Sequence, residues 1–419
     1  MQLIFMLLRL LSTLVASKIF NGEFDDMQVS HLSLRHILHS NSNTVKQLKF
    51  DHNNGVSINS IKNQKFSVKH LRRVSIKSDM RNNKLSEELN FQSNDFQSFM
   101  TLQRPKKGDS LLSRYPDETD KQTVLALAQM SSNGYYEPTK RDKWIDVVGN
   151  WSDNVNFGWE RDGIRGYIYV DEDDKVMVIT LKGTSPQWID GLQDNKMFSC
   201  CCAYVDYSWK TVCNCASAKG MCDSQCLSTN TNFADSYYNL AQTIYVAIRS
   251  MYPHISIWLT GHSLGGSLAS LVALTNNIPA FAYEAPGDLL FAERIGLLPD
   301  VPPNVDVKKK YYEEFLATLP IYHFGNDGDP IFLGICTGTS SVCYWGGYAM
   351  QSKCHVGKIC TYTDEDDRDK FNSRINIKSK VDIRNHGIEK VLKMIETKFD
   401  VPRCVVQKNC EDCHDWEFN

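Results

Sequence analysis

The sequence lacks any strong imbalance of charge. Its 46 Lys and Arg residues face 49 Asp and Glu residues, which leaves a net charge of −3 over 419 residues. A chain of this kind has no global attraction for nucleic-acid phosphates, so we predict no nucleic-acid partner. The sequence also lacks a second long hydrophobic run, because after residues 1–16 no stretch is long and apolar enough to cross a bilayer. Its hydrophobic residues, 42% of the total, therefore predict a globular core.

The sequence also lacks the paired C-x-x-C units that commonly bind zinc, although it contains 14 cysteines. Seven of them fall within 27 residues, and three of these are consecutive, which suits a zinc site poorly. Clustered cysteines in even number instead favour disulfide bonds and an oxidising compartment. We therefore predict disulfides, and neither a metal nor another cofactor. The clustered cysteines are Cys200, Cys201, Cys202, Cys213, Cys215, Cys222 and Cys226.

The N-terminal apolar segment, residues 1–18, determines which compartment we expect. It is short for a membrane span of about 20 residues and has the character of a signal-peptide core. Arg9 in its middle and the missing basic stretch ahead of it leave two possibilities open, a cleaved signal peptide and a retained signal anchor. Both place the rest of the chain in the secretory lumen. Asn150 begins the only N-x-S/T sequon and is a predicted glycosylation site, which agrees with a lumenal surface.

The rest of the chain is organised around residues 255–274. Residues 255–260 are mostly β-branched or apolar, as in a buried strand, while Leu268 and Leu271 recur at helical spacing. Between them stands a G-x-S-x-G pentapeptide with Ser263 at its centre. A strand, a tight turn and a helix are the context in which this pentapeptide forms a nucleophile elbow, the turn that presents a catalytic serine.

Strand and helix patterns alternate on both sides of this motif. Two β-rich runs, 165–170 and 175–181, flank an acidic turn and predict a hairpin. Together with the later helical patterns, they predict an α/β fold with a mixed sheet and flanking helices. We divide the chain into the signal segment (1–18), a partly disordered N-terminal extension (19–110), a catalytic domain (111–399) with a cysteine-rich insert (186–232), and a cysteine-containing tail (400–419).

Within the extension, residues 62–84 carry eight basic residues against one acidic residue. Such a run can contact anionic lipid headgroups, each charge contributing about 1 kcal/mol near such a surface. It can equally form an ordinary solvated face. Both interpretations stay open at this point.

A catalytic serine needs a neighbouring base, itself oriented by a carboxylate. In hydrolases with this elbow the acid and then the histidine follow the serine in the chain. Asp327 and Asp329 both follow an apolar run at 321–324, and composition does not decide between them. His355 lies between two cysteines, whereas His386 lies on the loop entering the last helical pattern, from where a base can reach over the serine. We therefore favour His386, and we favour Asp329 because the following Pro330 fixes it in an extended backbone.

The tetrahedral intermediate of acyl transfer needs backbone donors for its oxyanion. The N–H of Leu264, directly after the serine, is the first candidate. The second should come from a loop after an earlier strand, and Thr184 in the K-G-T-S sequence at 182–185 is the candidate. The alternative for Thr184 is an ordinary turn at the end of a strand.

Taken together, these residues resemble the class 3 lipases. That family's oxyanion strand ends in a basic residue, Gly, and Ser or Thr, as at 182–184, and its elbow G-H-S-L-G-G matches 261–266. Its aspartate segment is matched loosely at 329–331, where the usual second proline is missing, and its late histidine matches His386. The resemblance covers 111–399 and implies an α/β-hydrolase fold and a serine esterase that acts on glycerolipids.

A narrower similarity is to the fungal vacuolar lipases of autophagic bodies. It rests on the cysteine-rich segment from 197 onward and on the runs at 283–288 and 353–360. Members of that group hold an N-terminal signal anchor and travel through the endoplasmic reticulum, Golgi and multivesicular bodies to the vacuole lumen. The resemblance implies that 1–18 is a retained single-pass anchor. It also implies that the substrates are membrane phospholipids or triacylglycerol.

The insert occupies the position where class 3 lipases carry their lid. The apolar residues at its start can face lipid or belong to the core, and their sequence does not separate the two. These residues are Trp188, Ile189, Leu192, Met197 and Phe198.

Three functions are compatible with these features, the third being a serine peptidase on the same fold, because a triad alone does not choose ester over amide. The first is a lumenal serine lipase or phospholipase that hydrolyses acyl esters of glycerolipids. The second is a non-catalytic, membrane-anchored module that binds lipid or a partner. A complete set of nucleophile, base, acid and oxyanion donors favours the enzyme.

Overall fold

The computed structural model of the chain describes most of residues 115–419 and three short strands ahead of them. Asn150, residues 1–18 and all of 62–84 except strand 68–69 lie outside the described residues. The signal segment, the glycosylation site and the basic stretch therefore stay predictions. The described ranges are 37–41, 44–48, 68–69, 115–149, 151–159, 163–171, 176–184, 188–205, 209–218, 220–231, 236–299, 305–363, 381–397 and 400–419.

The helices and strands of the described residues are numbered in chain order. The strands are β1 (Ile37–Asn41), β2 (Thr44–Leu48), β3 (Val68–Lys69), β4 (Tyr115–Pro116), β5 (Trp151–Phe157), β6 (Gly166–Asp171), β7 (Val176–Leu181), β8 (Ala216–Ala218), β9 (Met221–Cys222), β10 (Ser256–His262), β11 (Ala280–Tyr283), β12 (Ile321–Asn326), β13 (Lys358–Tyr362) and β14 (Glu417–Phe418). The α-helices are α1 (Lys121–Asn133), α2 (Trp188–Phe198), α3 (Ser224–Thr231), α4 (Tyr237–Met251), α5 (Leu264–Asn276), α6 (Leu289–Arg294), α7 (Val305–Thr318), α8 (Val342–Trp345) and α9 (Ile388–Thr397). A 3₁₀-helix, Ile383–His386, precedes α9.

Seven strands form one mixed sheet in the order β13–β12–β11–β10–β7–β6–β5. The strands from β13 to β7 are parallel to their neighbours, whereas β5, β6 and β7 form an antiparallel meander. The predicted hairpin is confirmed as β6–β7, with Gly166 opposite Leu181. Because parallel strands end at the same edge of a sheet, the loops after β7, β10, β12 and β13 converge there.

Helices cover both faces of this sheet. The central strands β7 and β11 are buried at every position, as expected for parallel strands covered on both sides. Val124 of α1 and Val391 of α9 share one hydrophobic core with Trp258 and Phe281 of the sheet. On the other side α5 packs against β10 and β11, and it is buried from Leu264 to Leu274. The predicted α/β architecture, a mixed sheet with flanking helices and a cysteine-rich insert, is confirmed.

Seven disulfide bonds pair all 14 cysteines, which confirms the prediction of disulfides. Three bonds close the insert internally, one closes a short surface loop, and three join the 400–419 tail to the domain. The sulfurs of Cys202, Cys213 and Cys215 lie close together, but each is consumed in a disulfide and offers no thiolate to a metal. The bonds are Cys200–Cys413, Cys201–Cys222, Cys202–Cys213, Cys215–Cys226, Cys336–Cys343, Cys354–Cys410 and Cys360–Cys404.

The insert begins with helix α2. Burial of its residues shows which of the apolar side chains at the start of the insert belong to the core. Met197 and Phe198 are buried and therefore belong to the core. Leu192 is partly buried, and the side chains of Trp188 and Ile189 lie outside the described residues. Among the helices that are described, none has the length and hydrophobicity required to cross a membrane.

Candidate active site

Ser263 lies in the sharp turn between β10 and α5, as the pentapeptide predicts. Its backbone has φ +56° and ψ −130°, a conformation that non-glycine residues rarely adopt and that is found at strained functional turns. Neighbouring glycines make this turn possible. A Cβ on Gly261 would overlap the backbone of Gly265, and a Cβ on Gly265 would overlap the carbonyl of Leu181. The turn thus presents the serine at the edge of the sheet where the parallel strands end.

A continuous hydrogen-bonded chain joins the serine to a histidine and an aspartate. His386 Nε2 lies 2.9 Å from Ser263 Oγ, and His386 Nδ1 lies 2.8 Å from Asp329 Oδ2. The carboxylate accepts from Nδ1–H, which leaves Nε2 as the acceptor for the serine hydroxyl. The Ser263 residue is 7% exposed and the His386 side chain 16% exposed, so both are open to a small area of solvent.

The structure places Asp329, and not Asp327, against this histidine. Asp329 is fully buried, and its Oδ1 accepts a hydrogen bond from Ile331 N–H at 2.8 Å. Burial alone would raise the pKa of Asp329, but the charge and hydrogen bond of His386 and the hydrogen bonds from neighbouring groups hold this pKa below its ordinary value. Asp327 is instead tied to β13 through its backbone N–H, which donates to Tyr362 O.

The second histidine candidate, His355, lies away from the serine. It is buried in the loop held by the disulfide Cys354–Cys410. Its Nε2 lies 3.0 Å from the carbonyl oxygen of Ala285 and its Nδ1 lies 3.1 Å from Gln407 Oε1. Both ring nitrogens therefore have partners within the core, and His355 supports packing in this region.

Glu284 is a buried carboxyl group beside the aspartate that the sequence analysis missed. Its side chain is hydrogen-bonded to Asp329. Burial first, and then the charge of Asp329 and the hydrogen bond to it, raise the pKa of Glu284 well above its ordinary value. The opposite shifts of the two pKa values favour the protonated carboxyl at Glu284 and the ionised carboxylate at Asp329. Its backbone φ of +44° is a second strained position next to the site.

Asn326 connects the carboxyl groups of Glu284 and Asp329 to the segment that ends at His386. Its Nδ2 donates to Glu284 Oε1 at 2.5 Å and to Asn385 O at 3.0 Å. Its Oδ1 accepts from Gly328 N–H at 2.9 Å, within the turn that leads to Asp329. One amide thus fixes the relative position of the acid and of the loop that ends at His386. No local sequence motif indicates this role, because the partners are distant in sequence.

His262, which directly precedes Ser263, holds the backbone of His386 in place. Its Nε2–H donates to the carbonyl oxygen of His386 at 2.7 Å, and its Nδ1 accepts from the hydroxyl of Tyr135 at 2.6 Å. Burial, followed by repulsion from His386, lowers the pKa of His262 to about 3. The ring is therefore neutral, as its two hydrogen bonds require.

The two predicted oxyanion donors lie at the same edge of the sheet. Leu264 is the first residue of α5, so its N–H has no acceptor within the helix. Thr184 follows β7, whose Leu181 is opposite Gly261 in the parallel register. The hydroxyl of Thr184 donates to Asp194 Oδ2 at 2.8 Å, which fixes this residue after the strand.

Asp194 belongs to α2 of the insert and was also missed. It is fully buried, and burial raises the pKa of its carboxyl to about 8, although the hydrogen bond from Thr184 acts in the opposite direction. At neutral pH this carboxyl is therefore largely protonated. The insert thus supports the oxyanion side of the site through a buried carboxylic acid.

This arrangement has the parts that acyl transfer needs. A hydroxyl on a strained turn is hydrogen-bonded to a histidine, whose other nitrogen donates to a buried carboxylate. Two backbone N–H groups at the same edge can bind a developing oxyanion. Acyl transfer by these groups requires no metal or cofactor.

Residues 203–278, which include the elbow, match the family "Lipase (class 3)". Together with the similarities to curated proteins given next, this match shows that the described domain belongs to the class 3 lipase family. The predicted family and α/β-hydrolase fold are thereby confirmed.

Among curated proteins, the chain is similar to the candidate lipases ATG15 of two yeasts. It is 42% identical over 317 residues to the protein of Vanderwaltozyma polyspora, which covers 72% of this chain and 53% of that protein. It is 38% identical over 317 residues to the protein of Saccharomyces cerevisiae, which covers 72% of this chain and 57% of that protein. The chain thus spans a little more than half the length of these relatives.

Among solved structures, the chain is similar to two fungal lipases. The triacylglyceride lipase of Rhizomucor miehei is 16% identical, with a TM-score of 0.34, and the similarity covers 63% of this chain and 91% of that one. Lipase II of Rhizopus niveus is 14% identical, with a TM-score of 0.31, and the similarity covers 64% of this chain and 92% of that one.

Proposed function

We propose that this chain is a lumenal serine lipase that hydrolyses acyl esters of membrane glycerolipids, with phospholipids and triacylglycerol as its substrate classes. The observation that carries the proposal is the hydrogen-bonded chain from Ser263 through His386 to Asp329 on a nucleophile elbow. Membership of the class 3 lipase family supports ester rather than amide hydrolysis, and so do the names of the similar yeast proteins.

In the proposed reaction Ser263 Oγ attacks the ester carbonyl carbon while His386 Nε2 takes the hydroxyl proton. Asp329 stabilises the imidazolium ion through Nδ1–H. The N–H groups of Leu264 and Thr184 bind the oxyanion of the tetrahedral intermediate. The intermediate collapses as the histidine gives its proton to the leaving alcohol, and an acyl enzyme remains. Water, activated by the same histidine, then releases the fatty acid and restores the serine.

The cellular setting is part of the proposal. The apolar segment 1–18, as a retained signal anchor, would hold the body in the lumen of the secretory pathway on a route to the vacuole. The seven disulfide bonds support an oxidising compartment. The basic stretch 62–84 would add affinity for anionic lipid headgroups.

The test is hydrolysis by the full-length chain and its Ser263→Ala variant on phospholipid vesicles and on a triacylglycerol emulsion. We expect fatty-acid release by the wild type on at least one substrate, and a loss of at least about 10⁴-fold in the variant. Circular dichroism and the melting temperature of the variant serve as the control for folding. Undiminished release by Ser263→Ala would contradict the proposed nucleophile. A folded wild type that hydrolyses neither substrate would favour the non-catalytic lipid-binding module.

A further inference from the structure

A cluster of exposed apolar side chains lies on one surface loop. Trp345 is 78% exposed, Val342 52% and Ile335 50%. The first two are the most exposed large hydrophobic residues among those the structure describes, and all three lie within 11 residues of sequence. An exposed apolar cluster of this kind marks an interaction surface more often than an isolated exposed side chain does.

The loop that carries this cluster is free of charge. Residues 330–352, which we call the uncharged loop, contain no Asp, Glu, Lys, Arg or His over 23 positions. Globular proteins have about one charged residue in four overall, and their surfaces concentrate them. Solubility alone would favour charges on an exposed segment, so their absence here points to an environment that excludes them.

A disulfide and a short helix hold the apolar side chains in place. Cys336–Cys343 closes the loop, and Ser341 caps α8 by accepting a hydrogen bond from Tyr344 N–H at 3.1 Å. The ring of Tyr344 packs on Trp209 of the insert, with centroids 4.6 Å apart. Trp345 therefore projects from a constrained base, and the loop has little conformational freedom to lose on binding.

The uncharged loop is continuous with both halves of the active site. It begins directly after Asp329, and the N–H groups of Ile335 and Cys336 fold its start back onto Pro330 O. Its other end packs on α2, where Asn195 donates to Gly347 O at 2.9 Å and accepts from Ala349 N–H at 2.7 Å. The same helix carries Asp194, the partner of Thr184. The exposed cluster is therefore anchored on the acid side and the oxyanion side of the site.

We propose that the uncharged loop docks the protein onto a lipid surface, with Trp345 and Val342 inserted at the level between headgroups and acyl chains. An indole is well suited to that level because its ring is apolar and its N–H remains near water. This assignment rests on the proposed function, since a lipase must bring its serine to an insoluble substrate. Because the loop has no charge, its contribution does not depend on anionic lipid or on ionic strength, unlike that of a basic segment.

The first test measures whether Trp345 enters the bilayer. Full-length Ser263→Ala protein and its Ser263→Ala/Trp345→Phe counterpart are mixed with neutral phosphatidylcholine vesicles whose acyl chains are brominated near the headgroup. Bromine quenches only an indole close to it, so this readout reports on Trp345 even if other segments hold the chain on the vesicle. The difference in fluorescence between the two proteins is the signal of Trp345. We expect brominated lipid to quench this signal strongly, and we expect the quenching to be the same at high salt. Quenching that is equal with and without Trp345 would overturn the proposal.

The second test separates docking from chemistry with a matched control. Trp345→Ser and Val342→Ser are compared with Val246→Ser on α4, where Val246 is 50% exposed and therefore similar to Val342. We expect the loop variants to lose at least about fivefold in hydrolysis of neutral vesicles. They should keep wild-type turnover of a soluble short-chain ester, and Val246→Ser should match the wild type on both. Loss of soluble-ester turnover in folded loop variants would overturn the docking role.

Two further outcomes keep this inference separate from the proposed function. If the wild type hydrolyses no ester, the proposed activity fails, while the quenching experiment in the Ser263→Ala background still supports or contradicts lipid docking. Sedimentation velocity without lipid tests the alternative that the uncharged loop binds a second copy of the chain. A wild-type dimer that Trp345→Ser dissociates would overturn the lipid assignment, and an unchanged sedimentation coefficient supports it.

Discussion

Ser263 directly precedes α5, and Ser270 lies two turns further along the same helix; each has a histidine and an aspartate nearby. In the first set His386 bridges serine and aspartate through its two different nitrogens, at 2.9 and 2.8 Å. In the second set Ser270 Oγ and Asp288 Oδ2 both lie near the same nitrogen of His323, Nε2, at 3.2 and 3.6 Å. The second histidine therefore cannot relay a proton from the serine on one side while being oriented by the aspartate on the other.

Accessibility separates the two sets as well. Ser270, Asp288 and His323 are all fully buried. Ser270 also lies in the interior of α5, whereas Ser263 stands on the strained turn before the helix. The same three residue types thus form the candidate active site at the sheet edge and a polar cluster in the core. Three features distinguish the two sets. In the first set the serine and the aspartate contact different nitrogens of the histidine, the site is partly exposed, and backbone N–H donors lie at the start of the helix.

The largest expected effect concerns the two histidines. His386→Ala removes the base and should lower kcat/KM for a soluble ester by at least about 10⁴-fold, because the serine then keeps its proton. His323→Asn should leave kcat/KM within a few-fold of the wild type, although burial of a new amide can lower stability. Ester hydrolysis by folded variants, checked by circular dichroism, measures both. A comparable loss in a folded His323→Asn protein would contradict the distinction between the sets.

The two aspartates give the next largest contrast. Asp329→Asn preserves shape but removes the charge that orients His386, so we expect kcat to fall by about 10³- to 10⁴-fold. Asp288→Asn removes a carboxyl that touches no residue of the first set, and we expect kcat to stay near the wild-type value. The comparison is made by steady-state kinetics on one soluble ester at constant pH. Equal kcat values for the two variants would show that the acid has been assigned to the wrong residue.

The order of these residues along the chain explains how much could be predicted from the sequence. The elbow and His386 follow from a local motif and from the fixed order of serine, acid and histidine, which also narrows the acid to Asp327 or Asp329. The β6–β7 hairpin follows from local periodicity. Glu284, Asn326 and Asp194 could not be found in this way, because their roles depend on contacts between distant segments. Nor do spacings give the disulfide pairing, since the number of possible pairings rises steeply with the number of cysteines.

The last helix shows the same limit at the level of secondary structure. Helical periodicity does not reveal that a 3₁₀-helix, Ile383–His386, comes before α9, which begins at Ile388. The 3₁₀-helix is held by Asn385, which donates to Gly328 O at 3.0 Å. A tertiary contact with the aspartate turn thus overrides helical periodicity at the position where the base must be presented.

The smallest expected effect is on stability, and it contrasts Asp288 with Asp329. Burial raises the pKa of Asp288 to about 7, although hydrogen bonds from Ser270 and Val356 act in the opposite direction. An unfolded aspartate has a pKa of about 3.9, so between that pH and about 7 the folded protein binds the extra proton. The contribution of Asp288 to the free energy of unfolding therefore falls as the pH rises, by up to about 1.4 kcal/mol per pH unit.

Asp288→Asn removes this titration. Relative to the wild type, the variant should gain stability as the pH rises from 4.5 to 7, by an amount on the order of 1 kcal/mol or more. Asp329 has a pKa below its ordinary value in the folded protein, so its contribution is lost only as the pH falls below about 4. Asp329→Asn therefore removes no titration of Asp329 itself over the same interval, and its difference from the wild type should change less than that of Asp288→Asn. Urea unfolding at the two pH values measures both differences, and a constant difference for Asp288→Asn would contradict its assigned titration.

The most direct test of the account is the site of covalent labelling by a fluorophosphonate, which reacts with an activated serine. We expect mass spectrometry of the labelled, digested wild type to find the adduct on Ser263 and none on Ser270. Ser263→Ala should be unlabelled, and Ser270→Ala should be labelled like the wild type. An adduct on another serine, or labelling that persists in Ser263→Ala, would contradict the claim that geometry at the sheet edge activates Ser263.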